Sequence, residues 1–207
     1  MHHDDFNFEP VRGLPARLPE GEEILWQGAP DAWRLALEAL ALRWVAAYFA
    51  ILAIWRVAAS ATTVPLSEAL LHAVPLVLGG LLTAGILVLI AWAQAKATVY
   101  TLTNRRVAMR IGAALTMTLN LPYVQIGSAH LDRRKGGTGT IAFETLGDSR
   151  FSYLMTWPHV RPWVMRTQPA LRCIPQVDRV AEILAEAAEA RVSEPQVAPV
   201  APAMAAE

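Results

Sequence analysis

The segment Leu70-Leu-His-Ala-Val-Pro-Leu-Val-Leu-Gly-Gly-Leu-Leu-Thr-Ala-Gly-Ile-Leu-Val-Leu-Ile-Ala-Trp92 holds no charged residue, and its reading decides the fold class. As a helix it is about 35 Å long at about 1.5 Å per residue, enough to cross a bilayer core of about 30 Å. A buried helix of a soluble domain is the competing reading, but an apolar run beyond about 18 residues favours the membrane. A partner span lies upstream. The window 35–55 includes Glu38 and Arg43, both costly at mid-membrane, so the preferred frame is about 42–60. In that frame Arg43 sits at one interface and Arg56 snorkels toward the other. Asp31, after Pro30, is placed to cap a helix that enters the span. Trp33, Trp44, Tyr48 and Trp55 suit interfacial anchoring or plain packing. The expected unit is a transmembrane hairpin over residues 31–93, with spans at about 42–60 and 70–92 and a loop near Thr62-Thr63-Val64-Pro65.

Composition and charge extend this reading. The chain has 207 residues, 54% of them hydrophobic and only 17% charged, against about a quarter charged in ordinary soluble domains. Whole-chain disorder is excluded by that balance. The single cysteine, Cys173, excludes an internal disulfide framework and a cysteine-based zinc site. Net charge is zero, but it is unevenly spread. Residues 1–95 carry five Lys and Arg against nine Asp and Glu, residues 96–172 eleven against three, and residues 173–207 two against six. Arg34 and Arg43 precede the first span, and Lys96, Arg105, Arg106 and Arg110 follow the second. Residues 57–69 contain no basic residue. The excess of positive charge on one side places both termini in the cytoplasm. The acidic start, Met1-His2-His3-Asp4-Asp5, has no apolar run behind it and does not read as a signal peptide.

Beyond the second span the period changes from helix to strand. Tyr100 and Leu102 lead to a turn at Asn104-Arg105, and Val107, Met109 and Ile111 alternate with Ala108 and Arg110. Leu115, Met117 and Leu119 alternate with Thr116, Thr118 and Asn120 before Pro122. That alternation argues for a half-buried strand and against a third span over 107–127. Val124 and Ile126 then give way to Ala129 and Leu131, a phase slip at Gly127-Ser128 that predicts a bulge. Gly136-Gly137-Thr138-Gly139 is expected as a turn before Ile141 and Phe143, and Phe151, Tyr153 and Met155 as a further strand. Trp157-Pro158-His159-Val160-Arg161-Pro162-Trp163 carries two prolines and is expected as an ordered loop. A helix over about 176–191 puts Val177, Val180, Ile183, Leu184 and Ala187 on one face. The fold class is therefore an α+β membrane protein, a two-helix hairpin followed by an antiparallel β barrel or sandwich closed by a C-terminal helix. Residues 1–30 read as a cytoplasmic arm, 94–191 as the cytoplasmic β domain, and the Pro- and Ala-rich residues 192–207 as a disordered tail.

This order of elements resembles the bacterial pleckstrin-homology-like membrane proteins. Thr98-Val-Tyr-Thr-Leu-Thr-Asn-Arg-Arg-Val107 is similar to that family's first hairpin, and Leu121-Pro-Tyr-Val-Gln-Ile126 to its later strand. A closer resemblance, to the photosynthetic-complex assembly proteins of the PuhB type, rests on three stretches. They are Leu18-Pro-Glu-Gly-Glu-Glu-Ile-Leu-Trp-Gln-Gly28, Leu154-Met-Thr-Trp-Pro-His-Val-Arg-Pro-Trp163 and Leu171-Arg-Cys-Ile-Pro175. The resemblance implies a pleckstrin-homology (PH) type domain and a role in assembling the photosynthetic reaction centre with its core light-harvesting ring. The implied partners are reaction-centre and core light-harvesting subunits.

The residues themselves indicate contact surfaces and no catalytic centre. There is no P-loop, His-Glu-x-x-His, Gly-x-Ser-x-Gly or dinucleotide fingerprint, and the expectation is a protein without enzymatic activity or cofactor. His130 and His159 have no carboxylate at a telling offset, and Cys173 reads as a buried thiol. His72, in the first turn of the second span, invites comparison with a pigment ligand, but an interfacial histidine needs no such role. Arg105, Arg106, Arg110, Arg133, Arg134 and Lys135 are candidates for anionic lipid or acidic partner surfaces, since each basic side chain reaching such a leaflet gains roughly 1 kcal/mol. Trp157, Arg161 and Trp163 have the composition of an interface hot spot. Gly79, Gly80, Thr83 and Ala84 form small-residue pairs that let helices approach closely, within the hairpin, onto a client subunit or onto a second copy. Nucleic acid is not an expected partner. The alternative to an assembly factor is a membrane-tethered scaffold or anionic-lipid-binding module unrelated to photosynthesis.

Overall fold

The computed structural model describes residues 11–113, 115–134, 136–147, 151–162 and 165–193. Strand β1 (Ile24–Gly28) comes first, then helices α1 (Ala32–Glu38), α2 (Leu42–Ser60), α3 (Leu66–Leu71) and α4 (Val74–Ala97). Strands β2 (Val99–Thr103), β3 (Arg106–Ile111) and β4 (Met117–Pro122) follow, then a 3-10 turn at Tyr123–Gln125. Strands β5 (Ile126–Arg133) and β6 (Thr138–Thr145), helix α5 (Tyr153–Thr156), strand β7 (Ala170–Pro175) and helix α6 (Val177–Ser193) complete the order.

Asp31 does cap a helix, accepting a hydrogen bond from Arg34 N at 2.7 Å. That helix is the short α1 and not the long one. The chain passes through Ala41 at φ 54° before α2 begins, and this left-handed residue reorients the backbone between the two. Helix α2 takes the Leu42–Ser60 frame of the sequence reading. The second apolar stretch begins earlier and ends later than expected, from Leu66 to Ala97, with a break at His72-Ala73. Both helices are long and apolar enough to cross a membrane. Large apolar side chains cover their outer surfaces, including Ile51, Ile54, Leu78, Leu81, Leu82 and Leu89, each more than half exposed. At the loop end Ser60 Oγ lies 2.9 Å from His72 Nδ1, tying the two helices together.

The strands form two antiparallel sheets, β1-β2-β3-β4 and β5-β6-β7, packed around one core but not closed into a barrel. Tyr100, Leu102, Val107, Met109 and Leu121 from the first sheet meet Ile141, Phe143, Leu171 and Ile174 from the second. Val177, Val180, Leu184 and Ala187 of α6, all on the expected face, cover this core. The register of β5 on β6 shifts between Ile126 and Ser128, where the bulge was predicted. Gly136 and Gly137, at φ 92° and 75°, supply left-handed positions in the β5–β6 connection.

Two expectations are corrected. The alternation at 151–155 is not a strand: Tyr153–Thr156 is a helical turn, with Thr156 N and Oγ1 both donating to Ser152 O. The edge of β6 that such a strand would need is occupied by β7, and Tyr153, Leu154 and Met155 are all exposed. The stretch read as an N-terminal arm also supplies β1, which pairs with β2 from Ile24↔Thr103 to Gly28↔Tyr100. Residues 29–98, which include both long apolar helices, are thus the connection between two adjacent strands. The expected tail, residues 192–207, lies outside the described residues from 194 onward.

Candidate functional site

The end of the β domain that meets the helices is held by a buried polar chain. Helix α4 runs into β2 with only Thr98 between them, and Thr98 Oγ1 donates to Gln94 O at 2.7 Å. That uses its proton, so at 3.2 Å it accepts from His159 Nε2. His159 Nδ1 then accepts from the Tyr100 hydroxyl at 2.6 Å, whose oxygen accepts from Arg172 N at 3.3 Å. These partners assign the Nε2–H tautomer. His159 is 1% exposed, and burial, with the nearby Arg172 charge, pushes its pKa down to about 3. Burial raises the Tyr100 phenol far above its ordinary range and the Cys173 thiol to about 12. All three side chains are neutral at pH 7. This is a structural joint with no shape for general base catalysis, because every polar atom of the histidine is already engaged.

A second brace comes from α1. Leu35 and Ala36 pack with Ala91 of α4 and Cys173 of β7, and Asp31 N donates to Cys173 O at 2.8 Å. Helix and domain are therefore joined at two places. Large exposed apolar side chains gather at this same end. Leu115 lies in the turn beyond the Ile111↔Met117 pair, and Tyr153, Leu154, Met155 and Trp157 precede His159 by two to six residues. Trp157 is 38% exposed.

The basic residues singled out in the sequence do not form one patch. Arg105 is exposed at the β2–β3 turn, the far end of β2 from α4. Beside it Arg106 is consumed in an ion pair: its Nε lies 2.8 Å and its Nη2 3.2 Å from the carboxylate of Glu22, a side chain only 2% exposed. Arg110 is buried, with Nη1 3.4 Å from Ala97 O, a cation at the C-terminus of α4. Arg133 pairs with Asp178, and Arg134 with Asp132 at 2.9 Å and Glu38 at 3.5 Å. Lys135 and Trp163 lie outside the described residues. The reason for the division is strand geometry: β2 carries the chain about 13 Å between the Arg110 end and the Arg105 end.

Arg134 and Arg161 do come together, in a polar cavity of about 230 Å³ lined also by Glu38, His130, Thr140 and Arg172. Arg172 was not singled out by sequence. The available signal was its position inside the apolar run Leu171-Arg-Cys-Ile174, where a buried charge needs a partner. A separate apolar cavity of about 320 Å³ lies between α6 and β5–β6, against Ile141, Phe143, Leu184 and Ala188. The small-residue stripe is covered within the chain. A Cβ on Gly80 would come within 2.9 Å of Phe49 Cβ, Ala84 packs in the α1 cluster, and Thr83 Oγ1 donates to Gly79 O at 2.8 Å.

Comparison with known proteins agrees with this architecture. An "Uncharacterized 23.7 kDa protein in puhA 5'region" of Rhodobacter capsulatus is 47% identical over 203 residues, covering 95% of this chain and 94% of that protein. No solved structure matches the chain. The bacterial PH domain matches residues 31–188, and the apolar helices with most of the two-sheet core fall inside that match. The chain belongs to the bacterial PH domain family.

Proposed function

We propose that this protein is a membrane-bound, non-enzymatic assembly factor of the PuhB type for the photosynthetic reaction centre and its core light-harvesting complex. The observation that carries this reading is the 47% identical relative, described by its place in the 5' region of puhA, a photosynthesis gene. In this proposal α2 and α3–α4 span the cytoplasmic membrane twice, with both termini and the β domain on the cytoplasmic side. The excess of Lys and Arg on the domain side of the helices supports that orientation.

The two braces suggest how such a factor works. A domain fused to α4 through Thr98 and held on α1 keeps a fixed height and angle at the bilayer surface. The exposed apolar side chains at Leu115, Leu154, Met155 and Trp157 then lie where lipid headgroups meet the helices of neighbouring subunits. Nascent reaction-centre and light-harvesting subunits are the proposed clients, held through lipid-facing helix surfaces and the membrane-side rim of the domain.

Deletion of the gene tests the reading. The expected outcome is reduced reaction-centre and core-antenna absorbance in membranes, with pigment synthesis intact and recovery on complementation. Unchanged membrane spectra in the deletion strain would overturn it.

A further inference from the structure

The cavity between β5, β6, β7, the 157–162 loop and the end of α1 contains more cationic charge than its carboxylates use. Arg172 is 94% buried by its 6% exposure, and its Nε has no hydrogen-bond partner among the described residues. Its Nη1 donates to Val160 O at 3.1 Å, a neutral acceptor. Arg161 Nη1 likewise donates to a neutral group, Gln168 Oε1, at 3.2 Å. Neither guanidinium has a carboxylate within ion-pair distance among the described residues. The two carboxylates that line the cavity, Glu38 and Asp132, are both engaged by Arg134.

The neighbours of Arg172 do not compensate it. Tyr100, His159 and Cys173 are held neutral by burial, as above. A guanidinium in such surroundings is costly unless an anion completes it. The cavity is graded in accessibility: Arg134 is half-exposed at the rim, Arg161 is intermediate, and Arg172 is buried. Thr140 adds a hydroxyl whose oxygen faces Cys173 N at 3.5 Å, leaving its proton free to donate. His130, also in the lining, holds its Nε2 against Ser128 Oγ at 3.3 Å and Glu144 at 3.5 Å, so only its Nδ1 remains as a further ring nitrogen.

We propose that this cavity is a binding site for an anionic phosphate group, with Arg161 and Arg172 as its main ligands and Arg134 at the entrance. Planar guanidinium forks suit phosphate oxygens, and the cavity at about 230 Å³ is sized for a headgroup and too small for a large cofactor. Glu38 ends α1, the helix that packs on α4, so the site lies beside the helices and within reach of a bilayer surface. This supplies a ligand for Arg134 and Arg161, two of the contact candidates named from the sequence, and extends the proposed function beyond its apolar contact surface. It depends on the membrane placement in that reading only for the source of the phosphate.

The test uses the full chain purified in a neutral maltoside detergent, with thermal unfolding as the readout. The probes are inorganic phosphate and short-chain phosphatidylglycerol, each compared with sodium chloride at matched ionic strength and with phosphatidylcholine. A saturable rise in the unfolding midpoint is expected, with the affinity weakened about tenfold in Arg161→Gln and unchanged in Arg105→Gln at the far turn. Arg172→Gln endangers the fold, so Arg161→Gln is the deciding variant. A response to phosphatidylglycerol alone identifies a lipid source, and a response to inorganic phosphate as well identifies a soluble one. A rise no greater than that given by the controls, or one that Arg161→Gln retains in full, overturns the site. Either result leaves the gene-deletion test of assembly untouched.

Discussion

His159 shows what a single residue contributes to the joint between helix and domain. Both ring nitrogens are engaged, by Thr98 at 3.2 Å and Tyr100 at 2.6 Å; Thr98 accepts from Nε2–H in either protonation state, but a proton on Nδ1 would face the hydroxyl that Tyr100 donates. The unfolded chain takes up the proton near the ordinary histidine value of about 6.5, whereas the folded chain resists until about pH 3. Between those values the unfolded state binds more protons, so stability falls as pH falls. The contribution is fully present above about pH 6.5 and declines toward pH 3, with a slope approaching 1.4 kcal/mol per pH unit for this one group. Denaturant unfolding of the wild type and His159→Gln at pH 7 and pH 5 checks this: the wild type loses more stability than the variant between the two. Glu22 is the second residue whose loss is costly. Its buried carboxylate also accepts from Thr103 Oγ1 at 2.8 Å, so Glu22→Ala strands Arg106 and is expected to cost about 3 kcal/mol. A lowered melting temperature, partly recovered in Glu22→Gln, is the measurement. Neither residue stood out in the sequence. A histidine between two prolines and a glutamate in an acidic arm look alike whether solvated or buried, and only the tertiary pairing distinguishes them.

At the scale of elements, periodicity was informative wherever one face of an element is buried. The bulge at Gly127 and the apolar face of α6 were legible for this reason, while the Leu42–Ser60 frame was legible from the placement of its flanking charges. It misled at 151–155, where all of Tyr153, Leu154 and Met155 are exposed and the alternation reports no burial at all. It also missed β7, because Arg172 interrupts the apolar run and Cys173 adopts a left-handed φ of 53° inside the strand. The basic residues failed as a patch for a related reason: charge counts ignore partners, and Glu22, Glu38 and Asp178 lie far from their arginines in sequence. The helices allow a sharp contrast. A side chain at Gly80 meets Phe49, while a Cβ at Gly85 has no neighbour within 4 Å. Gly80→Leu should therefore push α2 from α4 and cost about 1–3 kcal/mol, and Gly85→Leu should leave the unfolding temperature in detergent unchanged. Equal effects of the two substitutions would mean that the helix contact is elsewhere.

On the scale of the whole molecule, the apolar helices are an insertion into a β-hairpin. Antiparallel neighbours such as β1 and β2 are ordinarily joined by a loop of about 2–5 residues, and here residues 29–98 do that work. The arrangement explains why both ends of the insertion are braced: Gly28 and Tyr100 are paired, so any tilt of α4 against the domain would strain the sheet itself. It also predicts what is needed for an autonomous domain. A chain starting at Val99 lacks β1, leaving Tyr100 and Leu102 on an open edge and Thr103 without Glu22, and should aggregate or remain partly unfolded. Joining residues 11–29 directly to residues 99–193 through an Asn-Gly turn restores β1 in register and keeps the contact of Gly13 with Val99. The joined chain is expected to be soluble and monomeric by size-exclusion chromatography, with a single cooperative thermal transition. If the chain beginning at Val99 folded equally well, β1 would be dispensable, and the two long helices would be an appendage to the domain, not an insertion within it.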